Sequence, residues 1–210
     1  MRIATLARLG VYLALLVVLQ GAKCPTIPTT KNLKMTVVTQ QYVELTFAAR
    51  GSINTHSDTD TIDVAQLRQD LEDAGVDVES VDSVFVASVL YGVTAYNEAA
   101  TDREIVDGTV TVSRPDEASS ATIFDNVDQP VYPLLGELVP APVELGGIAY
   151  VNDLLADVLQ AIKSGGSEIF LVEADASGVS EPQGRYTNFD WRVRINFHVV
   201  GETDMEVPDF

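Results

Sequence analysis

Residues 189–199 limit the fold more than any other part of the chain. Their apolar side chains occupy every second position: Phe189, Trp191, Val193, Ile195, Phe197 and Val199. The positions between them are polar: Asp190, Arg192, Arg194, Asn196 and His198. Side chains alternate between the two faces of a strand, whereas those of a helix repeat every 3.6 residues or so. The segment is therefore predicted to form a long antiparallel strand with one face in the core and the other in water.

Further strands are predicted from residue 35 onward. Residues 40–49 alternate in the same way and present one largely apolar face. Residues 84–91 are apolar on both faces, which predicts a central strand covered on both sides. Shorter strands are predicted at 105–113, 120–125 and 168–174.

A first amphipathic helix is predicted from Val64 to Ala74. Asp63 precedes it as a typical N-cap residue, and Gln66 follows three positions later, as in a capping box. Gly75 supplies the stop at the C-terminal end. The helix therefore has clear start and stop signals.

A second amphipathic helix is predicted from the spacing of six apolar residues: Val151, Leu154, Leu155, Val158, Leu159 and Ile162. Asp153 and Asp157 lie on the opposite side, and Gly165 with Gly166 ends the helix. We expect this helix to pack along a sheet and leave its acidic side in water.

Together these elements predict a β-rich α+β fold with mostly antiparallel, sandwich-like sheets and two inserted amphipathic helices. Residues 126–148 contain four prolines and read as irregular chain, so they are the candidate domain boundary. A division there would leave two thin cores. A single domain over residues 35–210 is therefore expected.

Residues 1–23 have the organisation of a secretory signal peptide. Arg2 and Arg8 precede an apolar run at 11–19, which small residues follow. A helix of that run would rise only about 14 Å, too little for a hydrocarbon core of about 30 Å. A short signal anchor or a core helix is the alternative. We expect export, to the periplasm, the outer membrane or the cell exterior.

Cys24 is the only cysteine, and it lies where a bacterial lipoprotein carries its acylated cysteine. Gly21 and Ala22 resemble the small residues of a lipobox, whereas Lys23 departs from that pattern. The resemblance implies a membrane anchor through Cys24. The alternative is cleavage near Gly21 or Ala22 that leaves a free thiol, which is a liability in an oxidising compartment. Residues 24–34 are predicted to be an extended tether.

The charge and the missing motifs exclude several activities. Thirty-one acidic residues against 13 Lys and Arg give a formal charge of −18, the opposite of a nucleic-acid-binding surface. The chain contains no phosphate-binding loop, dinucleotide fingerprint, nucleophile elbow or zinc-protease motif. No catalytic residue is therefore assigned, and a non-catalytic role is favoured while an enzymatic one stays open.

One polar loop has the character of a metal site. Residues 57–63 alternate hydroxyl and acidic side chains, and Asp58, Asp60 and Asp63 offer oxygens of the kind that Ca²⁺ binds. The run lacks the glycine and glutamate of an EF-hand loop, and Asp63 already serves as a helix cap. The expectation is therefore no cofactor, with Ca²⁺ as the alternative.

A second loop is the candidate for contact with a ligand. Residues 178–188 contain Pro182 and Gly184, which predicts a mobile connection. Tyr186 and Asn188 are its candidate contact residues.

These observations predict a non-catalytic binding or structural protein of the cell envelope, with a protein or a glycan as its partner. Two alternatives stay open. One is a secreted hydrolase that acts on a polysaccharide with two carboxylates. The other is a Ca²⁺-dependent adhesion module.

The charge also leads to a prediction about salt. Loss of residues 1–23 removes Arg2, Arg8 and Lys23 but no acidic residue, so 31 acids face 10 bases and the charge becomes −21. Self-repulsion of this size destabilises a folded chain unless ions screen it. We expect the melting temperature to rise with NaCl in a calorimetric series. An unchanged melting temperature between low and molar salt would contradict this.

Overall fold

The structure, a computed structural model, describes residues 30–51, 55–97, 99, 101–115, 118–183 and 185–208, without the side chains of residues 30–33, 51, 55–56 and 205–208. In this part of the chain the elements are, in order, β1 (Thr30–Gly51), β2 (Thr55–Asp63), α1 (Val64–Asp73), a 3-10 turn (Val78–Ser80), β3 (Ser83–Tyr96), β4 (Glu104–Ser113), β5 (Ser120–Pro130), β6 (Leu138–Pro140), α2 (Leu145–Ser164), β7 (Ile169–Glu181) and β8 (Thr187–Pro208).

The strands form two four-stranded sheets. The first sheet has the order β1-β8-β3-β6, and the second has the order β2-β7-β4-β5. Neighbouring strands pair antiparallel in both sheets. The prediction of a β-rich α+β fold with mostly antiparallel strands and two helices is confirmed.

The alternating segment at 189–199 lies in β8, as predicted. β8 pairs with β1 along its whole length, from Thr30 opposite Pro208 to Gly51 opposite Thr187, and β3 pairs on its other side. All six apolar residues of the segment are buried. β8 is therefore an inner strand whose apolar face forms one wall of the core.

Aromatic side chains join the two sheets across that core. The Trp191 ring of β8 lies 6.0 Å from the ring of Phe47 in the same sheet and 6.0 Å from the ring of Phe124 in the second sheet. Tyr91 of β3 also contacts Phe124, with 5.7 Å between ring centroids. The two sheets thus face each other in a sandwich-like arrangement.

Helix α1 matches its predicted start. The Asp63 side chain accepts a hydrogen bond of 3.1 Å from the backbone N–H of Gln66, and the helix buries Val64, Leu67 and Leu71. Gly75 follows the helix with a φ of 76°, in the left-handed region that glycine favours. The predicted cap and stop are both confirmed.

Helix α2 begins at Leu145, six residues before the predicted first apolar residue. It is the one helix in the described ranges that is long and apolar enough to cross a membrane by length and composition. Its apolar side, which includes Val151, Leu155 and Val158, is buried, and Asn152 accepts a hydrogen bond of 2.8 Å from the N–H of Val86 in β3. The helix therefore packs on the sandwich as an element of its core.

Residues 126–148 differ from the irregular segment that was predicted. β5 continues to Pro130, β6 covers Leu138–Pro140, and α2 begins at Leu145. β5 and β6 are both edge strands, where a proline does not interrupt a ladder of hydrogen bonds. Pro130 and Pro140 therefore lie at sheet edges.

Two strand predictions also need correction. β1 begins at Thr30, inside the predicted tether of residues 24–34, so the strand starts five residues earlier than predicted. β3 was predicted to be covered on both sides, but Phe85, opposite His198 on its outer face, is exposed. Residues 1–23 and Cys24 lie outside the described residues.

Candidate binding face

Charge divides unequally between the two sheets. The four strands of the second sheet contain ten acidic residues, three in β2, two in β4, two in β5 and three in β7, and no Lys or Arg. The strands of the first sheet contain five acidic and five basic residues, all of them in β1 and β8. The first sheet is therefore neutral in a molecule whose total charge is −18.

The outer face of the first sheet carries a cluster of charged and aromatic side chains. Register places Glu44 opposite Arg194, Tyr42 opposite Asn196 and Phe85 opposite His198. Directly paired residues project from the same face of a sheet. We call this cluster the arginine face, and its members are Tyr42, Glu44, Phe85, Arg192, Arg194, Asn196 and His198.

Glu44 lies between the two arginines of the arginine face. Arg194 donates to Glu44 Oε2 from Nε at 2.8 Å and from Nη2 at 2.5 Å. Arg192 Nη1 lies 3.5 Å from Glu44 Oε1. Because charge-assisted hydrogen bonds of this kind are strong and directional, Glu44 fixes the Arg194 guanidinium plane and draws Arg192 towards it.

Aromatic rings extend the arginine face on both sides. The guanidinium carbon of Arg194 lies 4.4 Å from the centroid of the Tyr42 ring, a cation–π contact, and 57% of Tyr42 is exposed. The Phe85 and His198 rings meet edge to face with centroids 5.7 Å apart. His198 lies on the polar face of β8, as predicted from the alternation.

Two hydrogen-bonding groups complete the arginine face. Asn196 is buried, and its Nδ2 donates to Ser88 Oγ at 2.9 Å. The Nε of Arg192 is buried and has no hydrogen-bond partner among the described residues. The arginine face therefore combines exposed rings with donors and acceptors held in fixed positions on a rigid sheet.

Two carboxylates on this side of the first sheet, those of Glu44 and Asp190, are engaged by arginines. Glu44 is held by Arg192 and Arg194, and Asp190 forms an ion pair with Arg50. A glycosidase needs one carboxyl group free to give up a proton and a second free to act as base or nucleophile. The arrangement is suited to recognition by stacking and hydrogen bonding.

The predicted polar loop at 57–63 is wrong, because these residues belong to strand β2. Asp60 Oδ2 accepts a hydrogen bond of 2.7 Å from the N–H of Glu44, and Asp58 Oδ2 accepts one of 2.6 Å from the N–H of Thr46. Both donors belong to β1, the edge strand of the other sheet. Asp58 and Asp60 therefore connect the edges of the two sheets.

The third predicted calcium ligand, Asp63, caps α1. Asp58, Asp60 and Asp63 thus each accept a backbone N–H group. Within the described ranges, no group of three or more His, Cys, Asp or Glu side chains is placed to hold a metal ion.

The predicted ligand loop is shorter than residues 178–188. β7 continues to Glu181 and β8 starts at Thr187. The buried Arg103 donates to the carbonyl of Pro182 at 3.2 Å and to that of Tyr186 at 2.5 Å, so it holds both ends of the connection. Tyr186 is exposed on this loop, whereas Asn188 lies in β8 opposite Arg50. The two candidates therefore belong to different elements.

Comparison with known proteins assigns no family. No protein-family model matches the chain, and no curated protein matches it. A solved structure from Desmodium yellow mottle tymovirus is similar over 97% of this chain and 100% of that chain, with 8% sequence identity and a TM-score of 0.24. At that TM-score the likeness supports no conclusion about fold or function.

Proposed function

We propose that this protein is exported, is anchored to a membrane through a lipid on Cys24, and binds a neutral polysaccharide of the cell envelope on its arginine face. The observation that carries the binding proposal is the exposed Tyr42 ring beside two arginines that share Glu44. No catalytic step is assigned to the arginine face.

The chemistry of the arginine face suits a sugar chain. The apolar C–H face of a pyranose ring packs on an exposed aromatic ring, which is a rigid surface of low entropy cost. Sugar hydroxyl groups both donate and accept, and they match the guanidinium donors of Arg192 and Arg194 and the carboxylate of Glu44. An open sheet face also accommodates a polymer that continues beyond the contact on either side.

The charge distribution favours a neutral ligand. A polyanion would be repelled by the total charge of −18, and a polycation would be drawn to the ten acidic residues of the second sheet. A neutral polysaccharide has no net charge to interact with either sheet, so its binding depends on the shape and the hydrogen-bonding groups of the surface. We therefore expect an affinity that changes little between low and molar salt.

One cavity bears on the alternative of a hydrolase. It has a volume of about 360 Å³ and lies between the end of β4, α2 and the start of β7. Its lining is mainly apolar and includes one carboxylate, Glu168. Hydrolysis of a glycosidic bond uses two carboxyl groups that flank the bond, and this cavity supplies one.

The anchor proposal rests on the sequence around Cys24 and on the start of β1. Cys24 lies six positions before Thr30, a distance of roughly 20 Å for extended chain. An acyl group on Cys24 would hold the sandwich close to a membrane. Mass spectrometry of the mature N-terminus tests this, and Cys24→Ser is expected to move the protein from the membrane fraction to the soluble fraction.

Replacement of Tyr42 tests the binding proposal. Tyr42→Ala is expected to lower the affinity for the bound polysaccharide at least tenfold, about 1.4 kcal/mol, because it removes the stacking surface and the cation–π partner of Arg194. The measurement is affinity electrophoresis against a panel of neutral glucans, mannans and xylans, followed by calorimetry with the best ligand.

Two other tyrosines provide controls. Tyr132→Ala removes a tyrosine of similar exposure, 49%, that contacts Tyr96 away from the arginine face, and it should leave the affinity unchanged. Tyr186→Ala tests the loop that was predicted from the sequence. Equal affinity of Tyr42→Ala and the unsubstituted protein, or release of reducing sugars from the polysaccharide, would contradict the proposal.

A further inference from the structure

Strand β1 is the edge strand of the first sheet. On the side that faces away from β8, the described residues supply hydrogen-bond partners for only some of its backbone N–H groups. β8 pairs with β1 on one side along 22 residues. On the other side, Asp58 and Asp60 accept the N–H groups of Thr46 and Glu44. The aspartate hydrogen bonds on this side therefore end at Glu44, and beyond them the start of α1 lines a cavity next to Gln41 and Tyr42.

Four N–H groups that precede Glu44 on this side have no partner in the part of the chain that the structure describes. Because hydrogen-bonding direction alternates along a strand, Thr36, Val38, Gln40 and Tyr42 direct their N–H groups the same way as Glu44, away from β8. Within the described residues these four N–H groups have no hydrogen-bond partner. The side chains at all four positions are exposed, 54% in the case of Val38. We call residues 36–42 the open edge.

The open edge lacks the features that usually block a strand edge. Natural edges carry charges, prolines or bulges that prevent pairing with another chain. Residues 35–43 contain no charged residue and no proline, and the pairing of β1 with β8 shows no bulge. The nearest charge on the N-terminal side, Lys34, is paired with Glu202 at 2.7 Å, and this hydrogen bond raises the pKa of Lys34. The open edge is thus an uncharged segment in a strongly acidic molecule.

We infer that the open edge pairs with the open edge of a second copy of this chain, so that two first sheets join into one continuous eight-stranded sheet. A second copy fits because an antiparallel strand edge is complementary to itself under a two-fold axis. Two molecules that carry −18 each approach most easily where neither presents a charge. The joined sheet presents two copies of the arginine face on the same side.

The aspartates limit the length of this pairing. Since Asp60 occupies the N–H of Glu44, the ladder ends at Tyr42 in both copies. We place the two-fold axis at Val38, an exposed apolar residue of the open edge, so that Val38 lies opposite Val38 of the second copy and Gln40 opposite Thr36. Tyr42 falls opposite Lys34, and the two exposed Val38 side chains cover each other.

Sedimentation velocity of the intact protein over a concentration series in molar NaCl tests the inference. We expect a monomer–dimer equilibrium for the unsubstituted protein and a monomer for Val38→Lys, which places two like charges together on the axis. Thr59→Lys makes the same charge change at an exposed position of the second sheet's edge, and it should leave the dimer intact. A monomer at every concentration for the unsubstituted protein, or a dimer for Val38→Lys, would overturn the inference.

A proline variant separates dimer loss from misfolding. Gln40→Pro removes an N–H that points away from β8, so the β1–β8 ladder keeps its hydrogen bonds. We expect this variant to be monomeric, with a melting temperature near that of the unsubstituted protein.

A double variant tests the role of the aspartates in the opposite direction. Asp58→Ala with Asp60→Ala frees the N–H groups of Thr46 and Glu44, and it is expected to dimerise at least tenfold more tightly. A weaker dimer in the double variant would contradict the assigned edge.

Discussion

Trp191→Ala is expected to lower the free energy of unfolding by about 3–5 kcal/mol, as other large-to-small core substitutions of aromatic residues do. Trp191 is 4% exposed and touches Phe47 in its own sheet and Phe124 in the other. Its removal leaves a cavity at the point where the sheets meet, which the flanking rings fill only in part. Urea unfolding followed by circular dichroism measures the change.

Trp191→Phe is the matched control. The indole Nε1 is buried and has no hydrogen-bond partner among the described residues, so phenylalanine loses volume but no hydrogen bond. We expect it to cost less than about 1.5 kcal/mol, in the range of conservative apolar replacements. A loss below about 1 kcal/mol for Trp191→Ala would show that the sheets do not depend on this contact.

Gly147→Ala is expected to destabilise the protein by about 3 kcal/mol, at the upper end of the usual cost of overpacking. A Cβ atom at Gly147 would lie 2.2 Å from the backbone oxygen of Thr122 and 2.7 Å from the Cα of Ile123. Both contacts are backbone atoms of β5, so no flexible side chain can move aside. The first turn of α2 would have to lift away from the sheet.

At the adjacent glycine, Gly146, substitution by alanine is expected to change the stability in the opposite direction. A Cβ at Gly146 meets nothing within 4 Å, and the residue lies in the same helical turn. Gly146→Ala is expected to stabilise the protein by roughly 0.5–1 kcal/mol, because alanine reduces the entropy of the unfolded chain and favours the helix. Thermal unfolding of the two variants side by side measures both effects. Equal melting temperatures would contradict the close approach of α2 to β5.

The strands that sequence predicted best are those with one face in the core. β8 was predicted because each apolar side chain of residues 189–199 is buried and each polar one lies on the outer face. β2 was missed because neither of its faces is apolar. Its Ser57 and Thr59 side chains face water, and Asp58 and Asp60 meet the amides of another sheet. A strand with two polar faces shows no alternation of apolar and polar residues, so the sequence pattern does not predict it.

The start of α2 and the contacts of the arginine face were not predicted from the sequence, for different reasons. Gly146 and Gly147 resemble a helix breaker in sequence, whereas the structure needs a glycine at 147 for the close approach to β5. Arg192 and Arg194 were correctly expected on the polar side of a strand. Their contact with Glu44 depends on the register between β1 and β8, two segments about 150 residues apart in the chain. The alternation requires apolar positions to pair with apolar ones, but it does not tell which residue of β1 lies opposite Arg194.

The pairing of β1 with β8 also determines how the molecule responds to force. If the protein is anchored through Cys24, a pull on a bound polymer acts on β8 at Arg194. The anchor resists that pull at Thr30, the N-terminal end of β1. Because this pull runs along the strands, the hydrogen bonds between residues 30–44 of β1 and β8 would be loaded together, in shear. A pull that separates Thr30 from Pro208 would instead open the ladder one pair at a time, like a zipper. The fold is therefore strong in the direction in which an anchored binding protein would be pulled.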